Sequence, residues 1–382
     1  MKKTTIISLL ILFLATPLIA QHGSYDDYMT YAKAKITDIQ VQDIDNPQGI
    51  PLTETWIFLK ILDGDLKGEI KKAVFSGENE LPEEMRYNIG DKIFIGISKA
   101  GIEGSTEYIS IYDMDNTKSL VVLVILMIVV IIIIGKLKGF ASLLALVATI
   151  ALLFLVFIPA TLKGYPSLPV AIGIAIISII ITLPIISGFK LKTLGAVLGA
   201  VLGILFASTL AYIFGSVMHL AGIVSNEMLT VFYASNIRID MKGLVLSGMI
   251  IAALGAIMDV CISIASSTAE IYNANPNIGA KQAYKSVLNI GTDILGTMVN
   301  TLILAYVGSS LGLILFISIR LQPEMTFWMV MNHNLILGEI VKSAIGSIGL
   351  FISIPITAFI SVEIYEKYYS HKRKNHTQGY PD

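Results

Sequence analysis

The chain has 382 residues, of which 54% are hydrophobic and only 14% are charged. Because a soluble globular chain carries about 25% charged residues, this composition excludes an ordinary soluble protein and indicates a bilayer environment. Residues 21–118 hold 18 acidic and 10 basic side chains, whereas the rest of the chain holds 10 acidic and 17 basic. An acidic soluble domain therefore precedes an apolar membrane domain. The basic excess lies between apolar runs, which favours membrane topology over nucleic-acid binding.

Residues 1–20 have the pattern of a secretory signal, with Lys2 and Lys3 before an apolar run. Ala20 suits the last position before cleavage, but Leu18 is large for the third-last position. A cleaved signal peptide and an uncleaved signal anchor therefore both remain open. Either one predicts that residues 21–118 lie outside the cytoplasm.

The exported segment, residues 21–118, is predicted to be β-rich. Five stretches alternate or run in β-branched and aromatic residues, at 31–41, 53–62, 69–75, 91–98 and 107–112. Five short strands in this length favour a small barrel-like domain of the size of an OB-fold. No basic or aromatic cluster stands out along the segment. The pattern therefore favours a structural or partner-docking module over a ligand-binding one.

Seven apolar runs that follow are long enough to cross a bilayer, which takes about 20 residues. They lie at residues 119–135, 140–161, 167–189, 194–217, 243–265, 293–319 and 341–364. The fold class predicted is an all-α polytopic membrane bundle of about seven helices over residues 119–366. A basic cytoplasmic tail, residues 367–382, follows it.

The basic residues predict an orientation in the cytoplasmic membrane. With the N-terminal domain outside, an odd number of spans places the C-terminus inside, and cytoplasmic loops carry the excess of Lys and Arg. The inside set is then Lys136, Lys138, Lys190, Lys192, Lys281, Lys285, Lys367, Lys372, Arg373 and Lys374, and the outside set is Lys163, Arg238, Lys242 and Arg320.

Small residues in the fourth and fifth spans predict close helix packing. Gly195, Gly199 and Gly203 form a ridge at four-residue spacing, which lets a neighbouring helix approach closely. Cys261 is the single cysteine and lies in an apolar run, so we interpret it as a packing residue. With no second cysteine we expect neither a disulfide nor a cysteine-based metal site. We also expect no cofactor.

Polar residues interrupt two consecutive spans at helical spacing. At about 100° per residue, the members of each set share one face of a helix. One set begins in the fifth span and continues past its end: Asp259, Ser263, Ser266 and Glu270. The other begins just before the sixth span: Asn289, Asp293, Thr297 and Asn300.

These two polar faces are the candidate functional site. A charge near the bilayer centre costs roughly 2.5–3.5 kcal/mol, so acids there face the bundle interior or a water-filled path. Two acids with hydroxyls and amides suit a path for a cation, a proton or a small polar solute. The alternatives are interhelical hydrogen bonding by the hydroxyls and amides, and contact of Asp259 or Asp293 with interfacial water.

Glu339 is a further candidate at the outer end of the last span. Lys342 follows three residues later, so an ordinary ion pair at a helix start is the alternative. His333 is interpreted as a loop residue rather than as a metal ligand.

Three stretches resemble the YibE/F-like family of bacterial membrane proteins. They are G-A-I-M-D-V-C-I-S-I-A-S at 255–266, G-T-D-I-L-G-T-M-V-N-T-L at 291–302, and E-I-V-K at 339–342 with G-S-I-G-L at 346–350. The resemblance implies a polytopic membrane protein without an assigned substrate. It implies importance for Asp259, Ser263, Asp293, Thr297, Asn300 and Glu339.

The sequence favours a transporter or permease of unassigned substrate. No G-x-x-x-x-G-K-[ST] motif occurs, so an ion gradient or a partner ATPase would supply the energy. The alternative is a non-transporting scaffold or sensor whose exported domain binds a partner, for example another membrane protein. An intramembrane aspartyl enzyme is disfavoured because Asp293 lacks a G-x-G-D setting, so we predict neither catalytic residues nor an enzyme.

Overall fold

The computed structural model describes residues 29–44, 52–77, 87–98, 109–220, 222, 239–312, 314–315 and 326–377. The predicted signal at residues 1–20 lies outside these ranges, as do Arg238, Arg320 and the last five residues of the predicted tail. The chain divides into two compact units, Met1–Ile133 and Ile134–Asp382. An antiparallel sheet lies in the first unit, and the second is helical where it is described.

Five strands form the sheet, and each overlaps one of the five predicted stretches. They are β1 Met29–Ile44, β2 Leu52–Ile61, β3 Ile70–Gly77, β4 Lys92–Ser98 and β5 Ile109–Met114. Their order in the sheet is β3-β2-β1-β4-β5, with every pairing antiparallel. Within the described residues no ladder joins β3 to β5, so the sheet is open and the predicted barrel-like closure is not confirmed.

Alternation along the strands produces the core of the sheet. Ala34 and Ile36 of β1 are buried between Leu59 of β2 and Ile93 and Ile95 of β4. Successive side chains of a strand point to opposite faces, so each intervening residue lies on the outer face. β1 is the central strand and pairs with β2 and β4, so buried side chains of both neighbours flank its Ala34 and Ile36.

The rest of the described chain is helical. The helices are α1 Thr117–Leu152, α2 Ile158–Leu162, α3 Ser167–Ser187, α4 Leu191–Val217, α5 Met241–Ala274, α6 Ala280–Ser309, α7 Phe327–Met331 and α8 Asn334–Thr377. A π-helical turn, Leu153–Phe157, joins α1 to α2. In the described residues, six helical segments are long and apolar enough to cross a membrane.

The predicted count of seven spans is not confirmed, because the first two predicted spans form one continuous segment. Thr117–Leu162 contains 46 helical residues, interrupted at Lys136, whose φ of 49° and ψ of −130° are not helical. The helix is therefore broken at Lys136, next to the boundary between the first two predicted spans. The stretches on either side of this break are both helical and together form one membrane-capable segment.

The core of the helical unit lies where α4, α5 and α8 pack together. Gly195, Gly199 and Gly203 of α4 lie directly against α8. A Cβ atom at Gly203 would be 2.8 Å from Ser353 Cβ, and atoms at Gly199 and Gly195 would collide with the hydroxyls of Thr357 and Ser361. The two four-residue ladders run in opposite chain directions. Cys261 of α5 is buried beside this contact, with Sγ 3.1 Å from Thr357 Oγ1.

Candidate functional site

The first polar face belongs to α5, a helix of 34 residues. Asp240 caps its start, and an Asp240 carboxylate oxygen accepts a hydrogen bond of 2.8 Å from the Gly243 amide. The helix packs against α3, α4, α6 and α8 through a broad apolar face that includes Ile257 and Ile264. A helix with four neighbours is fixed in rotation, so the face opposite this apolar face has a defined direction.

Small residues and an acid occupy that opposite face of α5. Gly248, Ala252, Gly255 and Asp259 are all exposed. A Cβ atom placed at Gly248 or Gly255 would have no described atom within 4 Å beyond its own stretch of helix. No side-chain hydrogen bond or ion pair within the described residues involves the Asp259 carboxylate. The Asp259 carboxylate therefore lies in an exposed strip of otherwise small residues on α5.

The cytoplasm-facing end of the same strip, in the predicted orientation, contains Ser263, Ser266 and Glu270. Ser263 Oγ donates to the Asp259 backbone carbonyl at 2.7 Å, which is a bond within the helix. Lys192 Nζ, from the second residue of α4, donates to Ser266 Oγ at 3.3 Å. Glu270 is exposed. Lys192 was counted from the sequence only as a loop charge, and its contact with this strip needed the packing of α4 on α5.

The second polar face belongs to α6. Gly291 faces inward, where a Cβ atom would lie 2.6 Å from Ile354 Cγ2 of α8 and 3.1 Å from Ile264 Cδ1 of α5. The buried residues of α6 surround Gly291 on this side. The polar residues lie on the other side of the helix and are exposed: Asn289, Asp293, Thr297 and Asn300.

Side chains of the α6 face make few contacts with the rest of the molecule. Thr297 Oγ1 donates to the Ile294 carbonyl of its own helix at 2.9 Å. No side-chain hydrogen bond or ion pair joins Asp293 to another of the residues that the structure describes. The polar faces of α5 and α6 therefore lie outside the packed core, and no described contact links Asp259 directly to Asp293.

Glu339 lies near the start of α8 in a compact polar group. Lys342 Nζ lies 3.1 Å and 3.0 Å from the two Glu339 carboxylate oxygens. The same ammonium group is 5.0 Å from the centre of the Tyr306 ring, which belongs to α6. Glu339 thus differs from Asp259 and Asp293, because its charge is compensated by a neighbour on its own helix.

A cavity that the sequence did not indicate lies at the other end of α5. Its volume is about 730 Å³. Lys242 lines it, with Nζ 3.3 Å from Ser216 Oγ. Apolar side chains make most of the remaining wall, together with hydroxyl groups from α4. This cavity is separate from the polar faces, since Lys242 precedes Asp259 by almost five helical turns.

Comparison with known proteins identifies the helical part. A family model described as YibE/F-like protein matches residues 123–367, which contain every polar residue of α5, α6 and α8 discussed above. No curated protein and no solved structure matched the chain. The family match and the membrane-capable helices together establish an integral membrane protein. Because the match covers more than half of the 382 residues, the chain belongs to the YibE/F-like family.

Proposed function

We propose that this protein is a transporter or permease that moves a cation, a proton or a small polar solute along the polar faces of α5 and α6. One observation carries the proposal. Asp259 and Asp293 are exposed on consecutive helices that are apolar enough to cross a membrane, and neither has a side-chain partner within the described residues.

The cost of such acids in lipid supports this reading. A charged carboxylate near the bilayer centre costs roughly 2.5–3.5 kcal/mol, and unsatisfied polar groups add to that cost. Asp259 and Asp293 must therefore be hydrated, protonated or bound to a cation. Each of these three states is compatible with a path for a polar solute, a proton or a cation.

The contact of Lys192 with Ser266 indicates what lies at the cytoplasmic end of the exposed strip on α5. Ser266, which accepts from Lys192, follows Asp259 by seven residues, or roughly 10 Å of helix. An ammonium group at this distance competes with a transported cation for the negative charge of the strip. We infer that Lys192 and Glu270 form the cytoplasmic mouth of the path.

The proposed topology has seven crossings, with the sheet outside and the C-terminus in the cytoplasm. A helical segment of 46 residues would extend roughly 70 Å at 1.5 Å per residue, more than twice the hydrocarbon thickness of about 30 Å. The non-helical backbone of Lys136 supports two crossings within Thr117–Leu162. An ion gradient or a partner ATPase would drive movement.

Flux through reconstituted protein tests the proposal. Purified full-length protein in proteoliposomes is compared with Asp259→Asn and Asp293→Asn, with proton and monovalent-cation fluxes measured by entrapped dyes. We expect each variant to lose at least about tenfold in flux, since 1.4 kcal/mol of lost cation stabilisation has this effect.

Glu363→Gln is the matched control. Glu363 is also an acid of a membrane-capable helix, but it pairs with Lys367 at 2.9 Å. Its substitution should leave the flux unchanged. If both aspartate variants conduct as well as the unmodified protein for every ion and solute tried, the path along α5 and α6 is wrong.

A scaffold or sensor is the second candidate function. It is favoured by the sheet, because the family match begins at residue 123 and leaves Met29–Met114 outside it. Under this alternative, deletion of residues 21–118 abolishes function in cells while the two Asn variants remain active. Under the transport proposal the two Asn variants are the ones that fail.

A further inference from the structure

The outer face of the sheet carries a row of three lysines that belong to different strands. Lys60 of β2 lies opposite Lys35 of β1, and Lys35 lies opposite Lys92 of β4. All three side chains are exposed. We call Lys60, Lys35 and Lys92 the lysine row.

Three adjacent lysines are unexpected here for two reasons: they repel one another, and the segment as a whole is acidic. Like charges directly opposite one another on neighbouring strands are destabilising. Residues 21–118 have 18 acidic and only 10 basic side chains, so acids outnumber the lysines and arginines with which they could pair. Even so, no carboxylate of the described residues pairs with the lysine row. Asp115 pairs instead with Lys33, at 3.0 Å, and Asp38 bonds to the Ile39 amide at 3.0 Å.

Aromatic side chains flank the lysine row on the same face. The Lys72 ammonium lies 3.8 Å from the centre of the Trp56 ring, and the Lys33 ammonium lies 4.9 Å from that of Phe94. The rings of Tyr31 and Tyr112 are 5.4 Å apart and more than half exposed. Trp and Tyr are enriched at membrane–water interfaces.

The lysine row lies at the end of the sheet from which the first membrane-capable helix leaves. The Asp115 amide donates to the Lys92 carbonyl at 2.7 Å, and α1 begins at Thr117. With 3.8 Å between successive Cα atoms, Lys92 is within roughly 10 Å of the start of that helix. A bilayer entered by α1 near its first turns would bring its lipid headgroups close to the lysine row.

We propose that the outer face of the sheet docks on an anionic phospholipid surface through the lysine row, with the flanking aromatic residues at the interface. A lysine near an anionic membrane gains about 1 kcal/mol, and the gain is screened within about a Debye length. The repulsion within the row is relieved when phosphate groups lie between the ammonium groups. This inference does not depend on the transport proposal.

Fluorescence of Trp56 tests the docking in the full chain. The protein contains two tryptophans, so Trp328→Phe leaves Trp56 as the only indole. The protein is placed in nanodiscs of phosphatidylcholine, with or without phosphatidylglycerol, that contain a lipid with a nitroxide-labelled headgroup. Trp56 should be quenched more strongly with phosphatidylglycerol, and 1 M salt should remove the difference because it shortens the Debye length to about 3 Å.

Charge-matched double variants separate the lysine row from net charge. K35Q/K60Q should lower the ratio of docked to undocked sheet about 30-fold, since each lysine contributes about fivefold. K67Q/K71Q removes the same charge from a loop and from the opposite face of β3, and should retain the quenching. Lys35, Lys60 and Lys67 are exposed, and Lys71 is half-buried with its ammonium group 3.5 Å from Glu69. Hydrogen exchange of β1 amides verifies folding, and the salt titration of the unsubstituted lysines gives an independent result if a variant misfolds.

Two outcomes would overturn the proposal. Equal quenching in the two lipid compositions, or equal loss in both double variants, excludes a specific role for the lysine row. A Trp56 response to soluble dextran sulfate without any response to phosphatidylglycerol assigns the face to a soluble polyanion instead of a membrane.

Discussion

The outward faces of α4 and α6 differ, although the two helices are built alike. Each exposes a row of four residues with successive spacings of four, four and three. The row on α4 is Leu194, Leu198, Leu202 and Leu205, and the row on α6 is Asn289, Asp293, Thr297 and Asn300. The leucines are 39–49% exposed, as expected for side chains that contact lipid.

On the opposite side, both helices use glycine to approach α8. Gly199 lies against Thr357 and Gly291 lies against Ile354, with no room for a Cβ atom at either position. Packing therefore does not explain the difference between the two outward faces. What differs is the medium beyond each helix, which is lipid for α4 and, on our proposal, a water-accessible path for α6.

Exchange of residues at matched positions should produce the largest effect. Leu198→Asp places a carboxylate on a lipid-facing row and should cost roughly 2.5–3.5 kcal/mol of insertion free energy. Asp293→Leu should insert and fold normally but lose flux. The fraction of inserted protein and its thermal stability in lipid measure the first effect, with Leu198→Ala as the control for lost volume. Similar insertion of Leu198→Asp and Leu198→Ala would show that the α4 face is also wet.

A smaller effect is expected when alanine replaces glycine on the inward or on the outward side of α6, because the two substitutions should change stability in opposite directions. Gly291→Ala places a Cβ atom 2.6 Å from Ile354 Cγ2, and overpacking of this kind costs about 1–3 kcal/mol. Gly296→Ala has open space at its Cβ position and should stabilise the helix by up to about 1 kcal/mol. Thermal unfolding in detergent checks both. If the two variants shift the midpoint equally, α6 is not oriented with Gly291 inward.

Helical periodicity predicted which residues share a face, but not where that face points. The spacing of Asn289, Asp293, Thr297 and Asn300 fixes their angles around α6 whatever its neighbours are. The direction depends on how α6 packs against α5 and α8, and that follows from contacts of residues far apart in sequence, such as Gly291 with Ile354. The acids were expected to face the bundle interior or a water path, and only the structure places them outside the core.

The ends of the helices and the clusters formed across strands also could not be predicted from the sequence. Hydropathy ended the fifth span at residue 265 and began the sixth at 293, whereas α5 continues to Ala274 and α6 starts at Ala280. Polar residues end an apolar run in the hydropathy profile, but the helix continues through them. The lysine row was invisible because its members are 25 and 32 residues apart and meet only through strand pairing. Strand alternation, by contrast, is local, and all five predicted strands overlap observed ones.

Thiol labelling should distinguish the two outward faces by about tenfold or more. Cys261 is buried and is the only cysteine, so Cys261→Ala gives a background without an endogenous thiol. In that background, Asn300→Cys should react with a charged, membrane-impermeant methanethiosulfonate reagent much faster than Leu205→Cys, because only an ionised thiolate in contact with water reacts. Equal rates would remove the distinction on which the transport path depends.

The smallest effect concerns Asp115, a carboxylate whose environment is the reverse of that of Asp293. Hydrogen bonds from the Thr117 hydroxyl and from Lys33, the latter at 3.0 Å, lower the pKa of Asp115 from 3.8 to about 2. A pKa lowered by folding means stabilisation that is complete above pH 3.8 and is lost as the pH falls through 2. Asp115→Asn should cost about 1 kcal/mol or less at neutral pH, since a single ion pair close to the protein surface contributes little.

Hydrogen exchange at the junction of β5 and α1 measures this contribution. The Asp115 and Leu120 amides, which bond to the Lys92 and Asn116 carbonyls, should lose protection between pH 4 and 2 only when Asp115 is present. Asp113→Asn is the control, because a carboxylate oxygen of Asp113 accepts from the adjacent Met114 amide and is exposed. An identical pH profile in Asp115→Asn would mean that the junction holds without this carboxylate. Asp115 and Asp293 would then differ in how far each is buried, and the bonds from Lys33 and Thr117 to Asp115 would not matter for stability.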